Sequence, residues 1–178
     1  MRIWMKTALA LLVAAAAGMI VAGQPAGDPK LLAQLKRLFP SATSFSPKEG
    51  DPPHFKAYVN EPQSGARQVA GFAFWTTDLE PLERGYDGPI KILVGLDTVG
   101  ILTGIIVVDH HEPYGSFSVD PPEFAAQFKG KNIRDPFRVG SDIDAVSRAS
   151  ISILSATRAV KNGARRVARQ LLTPPPPR

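Results

Sequence analysis

Apolar positions along this chain follow two periods. Asp28-Pro29 reads as an N-cap followed by proline at the first helical position, and Leu31, Leu32, Leu35, Leu38 and Phe39 recur at helical spacing until Pro40 ends the run. Ser41 to Pro53 reads as loop. From Phe55 the period shortens to that of a strand: Phe55, Ala57 and Val59 alternate with Lys56, Tyr58 and Asn60, and Val69 to Trp75 and Ile90 to Leu96 are further β-rich runs. Ile101 to Val108 is the most apolar of them. The short turn with Asp97, Thr98 and Gly100 joins it to Ile90–Leu96 as a hairpin, which is expected at the centre of an antiparallel sheet. Pro121 to Phe128 predicts a short helix opened by prolines. Val146, Ala149, Ile153, Val160, Val167 and Leu171 mark a long final helix, in which Gly163 costs about 1 kcal/mol relative to alanine and so points to close packing on the sheet. No internal repeat is visible. The order predicts an α+β fold: a mainly antiparallel sheet with an N-terminal helix and a long C-terminal helix packed on it.

Composition agrees with one globular domain: 178 residues, 44% hydrophobic and 21% charged. Met1 to Gly23 stands apart, with Arg2 and Lys6 as its only charges and an unbroken apolar or small run from Thr7 to Ala22. This is the build of a secretory signal, and export is expected; the run falls only slightly short of the roughly 18 residues of a membrane span, so residues 3–22 also read as an anchor. The expected organisation is a signal peptide or anchor over 1–23, the domain over 28–172 and a Pro-rich tail over 173–178. The chain has no cysteine, which excludes disulfides, thiolate catalysis and Cys-ligated iron–sulfur or zinc centres. Of the net charge of +5, Arg2 and Lys6 supply two units, and much of the rest sits on the last helix at Arg158, Lys161, Arg165, Arg166 and Arg169. That helix has no aromatic residue and no recognition motif, so it reads as a solvated basic face near a helix C-terminus and not as a nucleic-acid surface.

Chemistry concentrates in two segments. One is Asp109-His110-His111-Glu112-Pro113-Tyr114-Gly115, which follows the most apolar strand and puts polar groups where ligand sites are commonly built. The other is Asp144 to Ser152, where Ser147, Ser150 and Ser152 gather around the start of the last helix, a place that suits a phosphate. A metal reading of the first segment is weak, because adjacent histidines on an extended chain point to opposite faces and His54 is the only other histidine. A hydrolase reading, pairing one of the serines with His110 or His111, lacks a G-x-S-x-G elbow. Satisfied loop histidines and a core Tyr114 remain the plain alternative.

Phe39-Pro40, Gly85-Tyr86-Asp87-Gly88-Pro89-Ile90, Leu93-Val94-Gly95-Leu96-Asp97 with Gly100, His110-His111-Glu112-Pro113 and D-A-V-S-R-A-S, in this order, resemble the FMN-binding domain family. That family includes the periplasmic flavin domains of NosR- and NirI-type proteins and the flavin subunits of Rnf and sodium-pumping NADH:quinone oxidoreductases. The frame V-V-D-H-H-E-P-Y-G resembles the NosR branch most. In the family, a dedicated flavin transferase joins FMN through its phosphate to the last hydroxyl of an S-G-A-T motif. Ser147-Arg148-Ala149-Ser150 occupies that motif here, so the resemblance makes Ser150 the phosphoester residue. Arg148 stands where the family has glycine, a substitution that is disfavoured if the position needs a positive φ, although its guanidinium suits a phosphate. Ser150 stands where the family has threonine. By the same resemblance His111, Glu112, Pro113, Tyr114 and Gly115 form the loop beside the isoalloxazine ring, and Tyr86 lies on the turn that leads into the hairpin.

The resemblance implies an exported, periplasmic flavoprotein that carries electrons with FMN attached at Ser150. Its expected partners are a flavin transferase for maturation and separate redox donor and acceptor proteins, membrane-bound ones among them, with the basic helix face as a docking surface for an acidic partner. Arg148 supports an alternative from another class: a non-redox sensory or assembly module of a redox system that binds FMN non-covalently or binds none.

Overall fold

The computed structural model describes residues 28–172; the expected signal or anchor over 1–23 and the Pro-rich tail over 173–178 lie outside the described residues. Helix α1 (Pro29–Leu38) begins as its sequence dictates. The Asp28 carboxylate accepts the Lys30 N–H at 2.9 Å, proline occupies the first turn, and Lys36 and Arg37 sit at the negative end of the helix dipole. Leu35 and Leu38 are buried, whereas Leu32 is 43% exposed and lies off the core stripe.

Five strands follow in a simple antiparallel meander, in the order β1-β2-β3-β4-β5: β1 (Ser44–Phe45), β2 (Phe55–Asn60), β3 (Arg67–Trp75), β4 (Lys91–Asp97) and β5 (Leu102–Asp109). Two elements were not expected. Ser44–Phe45 pairs with Ala57 and Tyr58 inside what reads as loop, and a single turn of helix, α2 (Thr76–Leu79), caps β3. The remaining elements are a 3-10 turn (Gly115–Phe117), α3 (Pro122–Ala126) and α4 (Ser150–Leu171).

Alternation along the strands sends side chains to two cores, one on each face of the sheet. Phe72, Phe74, Ile92, Val94, Leu96, Leu102 and Ile105 face α3 and α4, where Phe124, Phe128, Ile153, Val160, Ala164 and Val167 meet them. Phe55, Ala57, Ala73, Trp75, Leu93 and Ile106 face the other way, onto Leu35, Leu38 and Phe39 of the α1 region. The α+β reading therefore holds, with its two principal helices on opposite faces of the sheet. Gly163 has the role its position suggests: a Cβ there would come within 2.7 Å of the Phe74 ring, so α4 lies close on β3 only because that side chain is absent.

The placement of the hairpin needs correcting. β4 and β5 do pair as a hairpin, but β3 is the central strand and β5 is the last of the sheet. β5 is the most apolar strand because both of its faces are covered, not because it has a strand on each side. Its outer edge is closed at one end only, where the Leu102 N–H donates to Lys131 O at 2.8 Å and the Gly130 N–H to Leu102 O at 2.8 Å. Among the described residues no helix is long and apolar enough to cross a membrane.

Candidate functional site

Three segments far apart in sequence meet at the start of α4. They are the turn before β4, Gly85 to Gly88; the loop after β5, His110 to Gly115; and Val146 to Ser152. The group that joins them is the Glu112 carboxylate, whose residue is 7% exposed. It accepts the Tyr86 N–H at 2.9 Å, the Asp87 N–H at 3.1 Å and the Ser152 hydroxyl. The fit is close enough that a Cβ on Gly85 would collide with the carboxylate. Burial by itself pushes the Glu112 pKa up and is the largest single influence. The hydrogen bonds from Ser152, Tyr86 and Asp87, with the nearby His110, together outweigh it and hold the pKa below the ordinary value.

The loop after β5 is built on His110. Its Nδ1 accepts the Glu112 backbone N–H at 3.1 Å, so that nitrogen carries a lone pair and Nε2 carries the proton, which it donates to Asp120 at 2.7 Å. The ring lies where a Cβ on Gly115 would be, so glycine is needed there to seat it. Gly115 then opens the 3-10 turn, and its carbonyl accepts from Ser118, Val119 and Asp120. Of the two histidines, His110 therefore builds the loop, while His111 and Pro113 stand exposed on its outside. Tyr114 and Phe117 are 45% and 47% exposed and pack against each other at 5.3 Å between ring centres; Tyr86 is 70% exposed.

The last segment begins its helix later than the hydrophobic pattern suggests. Val146 and Ala149 precede α4; Ala149 is its N-cap, without a side-chain capping bond, and Ser150 is its first residue. The first hydrogen bond of the helix runs from the Ile153 N–H to Ala149 O at 3.0 Å, so the N–H groups of Ser150, Ile151 and Ser152 precede the ladder. The three serines are not equivalent. Ser147 and Ser150 are exposed, whereas Ser152 is 3% exposed and donates to Glu112. Arg148 lies between them, exposed, at φ +68, in the left-handed region that favours glycine.

The structure thus joins the Tyr86–Asp87 turn, Glu112 of the loop after β5 and, through Ser152, the first turn of α4, which Ser150 opens. It adds what the sequence motifs do not reveal: Gly85, Asp87 and Ser152 as fitted partners of Glu112, and Asp120 as the partner of His110. No local pattern announces these pairs, because the Glu112 contacts span 25, 26 and 40 residues. Among the described residues, no group of three or more His, Asp or Glu side chains is arranged to hold a metal ion.

The basic face of α4 is exposed at Arg158, Arg166 and Arg169. Four of its five cations also bind within the molecule: Arg158 pairs with Glu83 at 2.7 Å, Lys161 donates to Pro136 O at 2.9 Å, Arg165 to Ile133 O and Asp135 O at 2.7 and 2.8 Å, and Arg166 to Leu79 O at 3.0 Å. Segments 133–136 and 79–83 cross this flank with carbonyls that need donors, and the long basic side chains supply them.

Residues 85–165 match the sequence model of the FMN-binding domain family, a span that contains all three segments of the site. The regulatory protein NosR of Pseudomonas aeruginosa is 27% identical over 77% of this chain and 20% of its own length, and NosR of Stutzerimonas stutzeri is 26% identical over 76% and 19%. A subunit of the ion-translocating oxidoreductase complex of Vibrio vulnificus is 31% identical over 44% of this chain and 42% of its own length. The chain spans about a fifth of the length of the NosR relatives and less than half of the Vibrio protein. Over residues 85–165, therefore, the chain is similar to the FMN-binding domain family.

Proposed function

We propose that this chain is an exported electron carrier with FMN joined through its phosphate to Ser150. The observation that carries the reading is the contrast within one helix start: Ser150 is exposed at the first position of α4, while Ser152 is buried and bonded to Glu112. The residues present suit the cofactor. The N–H groups of Ser150, Ile151 and Ser152 and the exposed guanidinium of Arg148 favour a phosphate, and the exposed Tyr86, Tyr114 and Phe117 offer apolar surface to an aromatic ring. Ser147, Ala149, His111, Glu112, Pro113 and Gly115 complete the proposed site. When bound, FMN supplies one- and two-electron redox chemistry, and the chain anchors and orients it and sets the charge around it.

The Vibrio relative is part of an oxidoreductase complex, which supports separate redox donor and acceptor proteins for this chain, membrane-bound ones among them, with a flavin transferase for maturation. The charge pattern of residues 1–23 supports export to the periplasm, with cleavage or with residues 3–22 retained as an anchor.

The test is intact mass. The full chain, expressed with export and a flavin transferase, gains the mass of one FMN less one water, and Ser150→Ala loses the gain. An unmodified wild-type mass would overturn the covalent reading, and an adduct kept in Ser150→Ala but lost in Ser147→Ala would move the bond. A second reading, a regulatory or assembly module that binds FMN without a covalent bond or binds none, is favoured by Arg148, a non-glycine residue held at φ +68, and by the regulatory name of the NosR relatives. Yellow colour released by acid from an unmodified chain would decide for it.

A further inference from the structure

We infer that Glu112 is the positioning residue of this site: its carboxylate fixes the Tyr86–Asp87 turn, the His110–Gly115 loop and the first turn of α4 relative to one another. It also sets a buried negative charge among the residues assigned to FMN. The electrostatic half of this inference rests on the flavin reading above; the mechanical half does not.

The geometry is specific to an ionised carboxylate. Three donors converge on it, the N–H groups of Tyr86 and Asp87 and the hydroxyl of Ser152. A carboxylate is an acceptor only, so all three are satisfied by the charged form, whereas a protonated acid would set a proton against one of them. The partners are fitted as well: Gly85 has no Cβ to obstruct the carboxylate, and Ser152 turns a buried hydroxyl toward it. The Glu112 backbone is fixed in turn, because its N–H donates to His110 Nδ1 and its carbonyl accepts from the Gly115 N–H at 3.1 Å.

Among the described residues no lysine or arginine pairs with Glu112, so its charge is met chiefly by N–H and O–H dipoles, with His110 nearby. Such a charge keeps much of its field, because no lysine or arginine is there to cancel it and little water to screen it. Glu112 is two residues from Tyr114, and its partner Ser152 is two residues from Ser150. A negative charge so placed disfavours adding electrons to a flavin held by those residues, and so lowers its midpoint potential.

The two halves are tested separately on the full chain with Glu112→Gln and Ser152→Ala. Before flavin loading, hydrogen exchange at the Tyr86 and Asp87 amides is expected to be about tenfold faster or more in Glu112→Gln, since an NH2 replaces one acceptor oxygen, while the β3 and β4 amides keep their protection. Ser152→Ala is expected to speed the same two amides by a smaller factor, although residue 152 touches neither. Protection at Tyr86 and Asp87 unchanged in folded Glu112→Gln would overturn the clasp, and if that variant does not fold, unchanged protection in Ser152→Ala would do so.

After loading, Glu112→Gln is expected to have a higher flavin midpoint potential than wild type at equal flavin stoichiometry, and Ser152→Ala, which keeps the charge, to stay closer to wild type. Equal potentials in wild type and Glu112→Gln would overturn the electrostatic half. A wild-type chain that takes up no flavin would remove that half together with the flavin reading, and the exchange data would still decide the clasp.

Discussion

Asp142 and Glu112 each collect backbone N–H groups on one carboxylate, yet they organise different things. Asp142 accepts the N–H groups of Phe137, at 3.0 Å, and of Arg138, five and four residues before it, and has Lys131 at 3.2 Å as a counter-ion. Glu112 has no such cation, and its three donors lie 25 to 40 residues away. Asp142 shapes a loop; Glu112 holds parts of the fold in register with one another. A left-handed residue accompanies each. Phe137, at φ +48, buries its ring to 5% exposure against Phe128, so packing offsets its strain. Arg148, at φ +68, is exposed and has no burial to offset it. Strain held without local compensation is characteristic of functional segments, and the carboxylate that has no lysine or arginine partner is bonded, through Ser152, to the same helix start that Arg148 precedes.

The largest test of this contrast removes each carboxylate in turn. Glu112→Ala strands three donors, two of them backbone N–H groups, and is expected to cost about 4 kcal/mol of unfolding free energy. Asp142→Ala is expected to cost about 2 kcal/mol, since Lys131 can turn to solvent and the loop donors are near the surface. Urea unfolding at neutral pH checks both, and equal losses would mean that long-range and local clasps are energetically alike.

The two left-handed residues should respond with opposite signs. Phe137→Gly relieves strain but gives up a buried ring, a net loss of about 2 kcal/mol. Arg148→Gly relieves strain and gives up only exposed surface, and is expected to stabilise the fold by about 1 kcal/mol. On the flavin reading, Arg148→Gly also speeds modification by a transferase suited to S-G-A-T, which the rate of mass gain would measure. A loss of stability in Arg148→Gly would show that the arginine side chain supports the turn in some way its exposure does not suggest.

Much of this fold is legible in the residues, and the exceptions share a physical cause. Asp28-Pro29 and Pro40 delimit α1 because caps act within a turn, β2 follows from alternation because pleating is local, and β3 to β5 follow from β-rich apolar runs. β1 escapes notice since two residues cannot establish a period, and the edge position of β5 does so since apolarity reports covered faces, not neighbouring strands. The site divides in the same way. Ser150, Arg148 and the His111–Gly115 loop can be found from motifs, but nothing near Glu112 in sequence reveals that Gly85 and Ser152 meet it. The basic residues of α4 are visible in sequence as a face; that carbonyls of segments 133–136 and 79–83 cross that face is not.

The smallest expected effect is on pH and salt, and it separates the two carboxylates by what balances them. Burial raises each pKa, but hydrogen bonds, with the nearby His110 for Glu112 and the Lys131 charge for Asp142, more than reverse this, so both carboxyls are held below their ordinary values in the folded state. Where the folded pKa is the lower one, the unfolded chain binds more protons, so stability rises with pH in that range. Each group therefore contributes fully above its unfolded value and loses its contribution as pH falls through the folded one. Unfolding free energy should decline as pH drops below about 5, and Glu112→Gln should flatten the upper part of that decline and Asp142→Asn the lower part. Salt then distinguishes them: the Asp142 share weakens as ionic strength rises because a partly exposed ion pair is screened, while the Glu112 share persists because its partners are dipoles in a buried place. Urea midpoints across acidic pH at low and high salt would measure this. If salt removed the Glu112 share as readily as the Asp142 share, solvent would have to reach the carboxylate, and both its clasp and its field would be weaker than its burial implies.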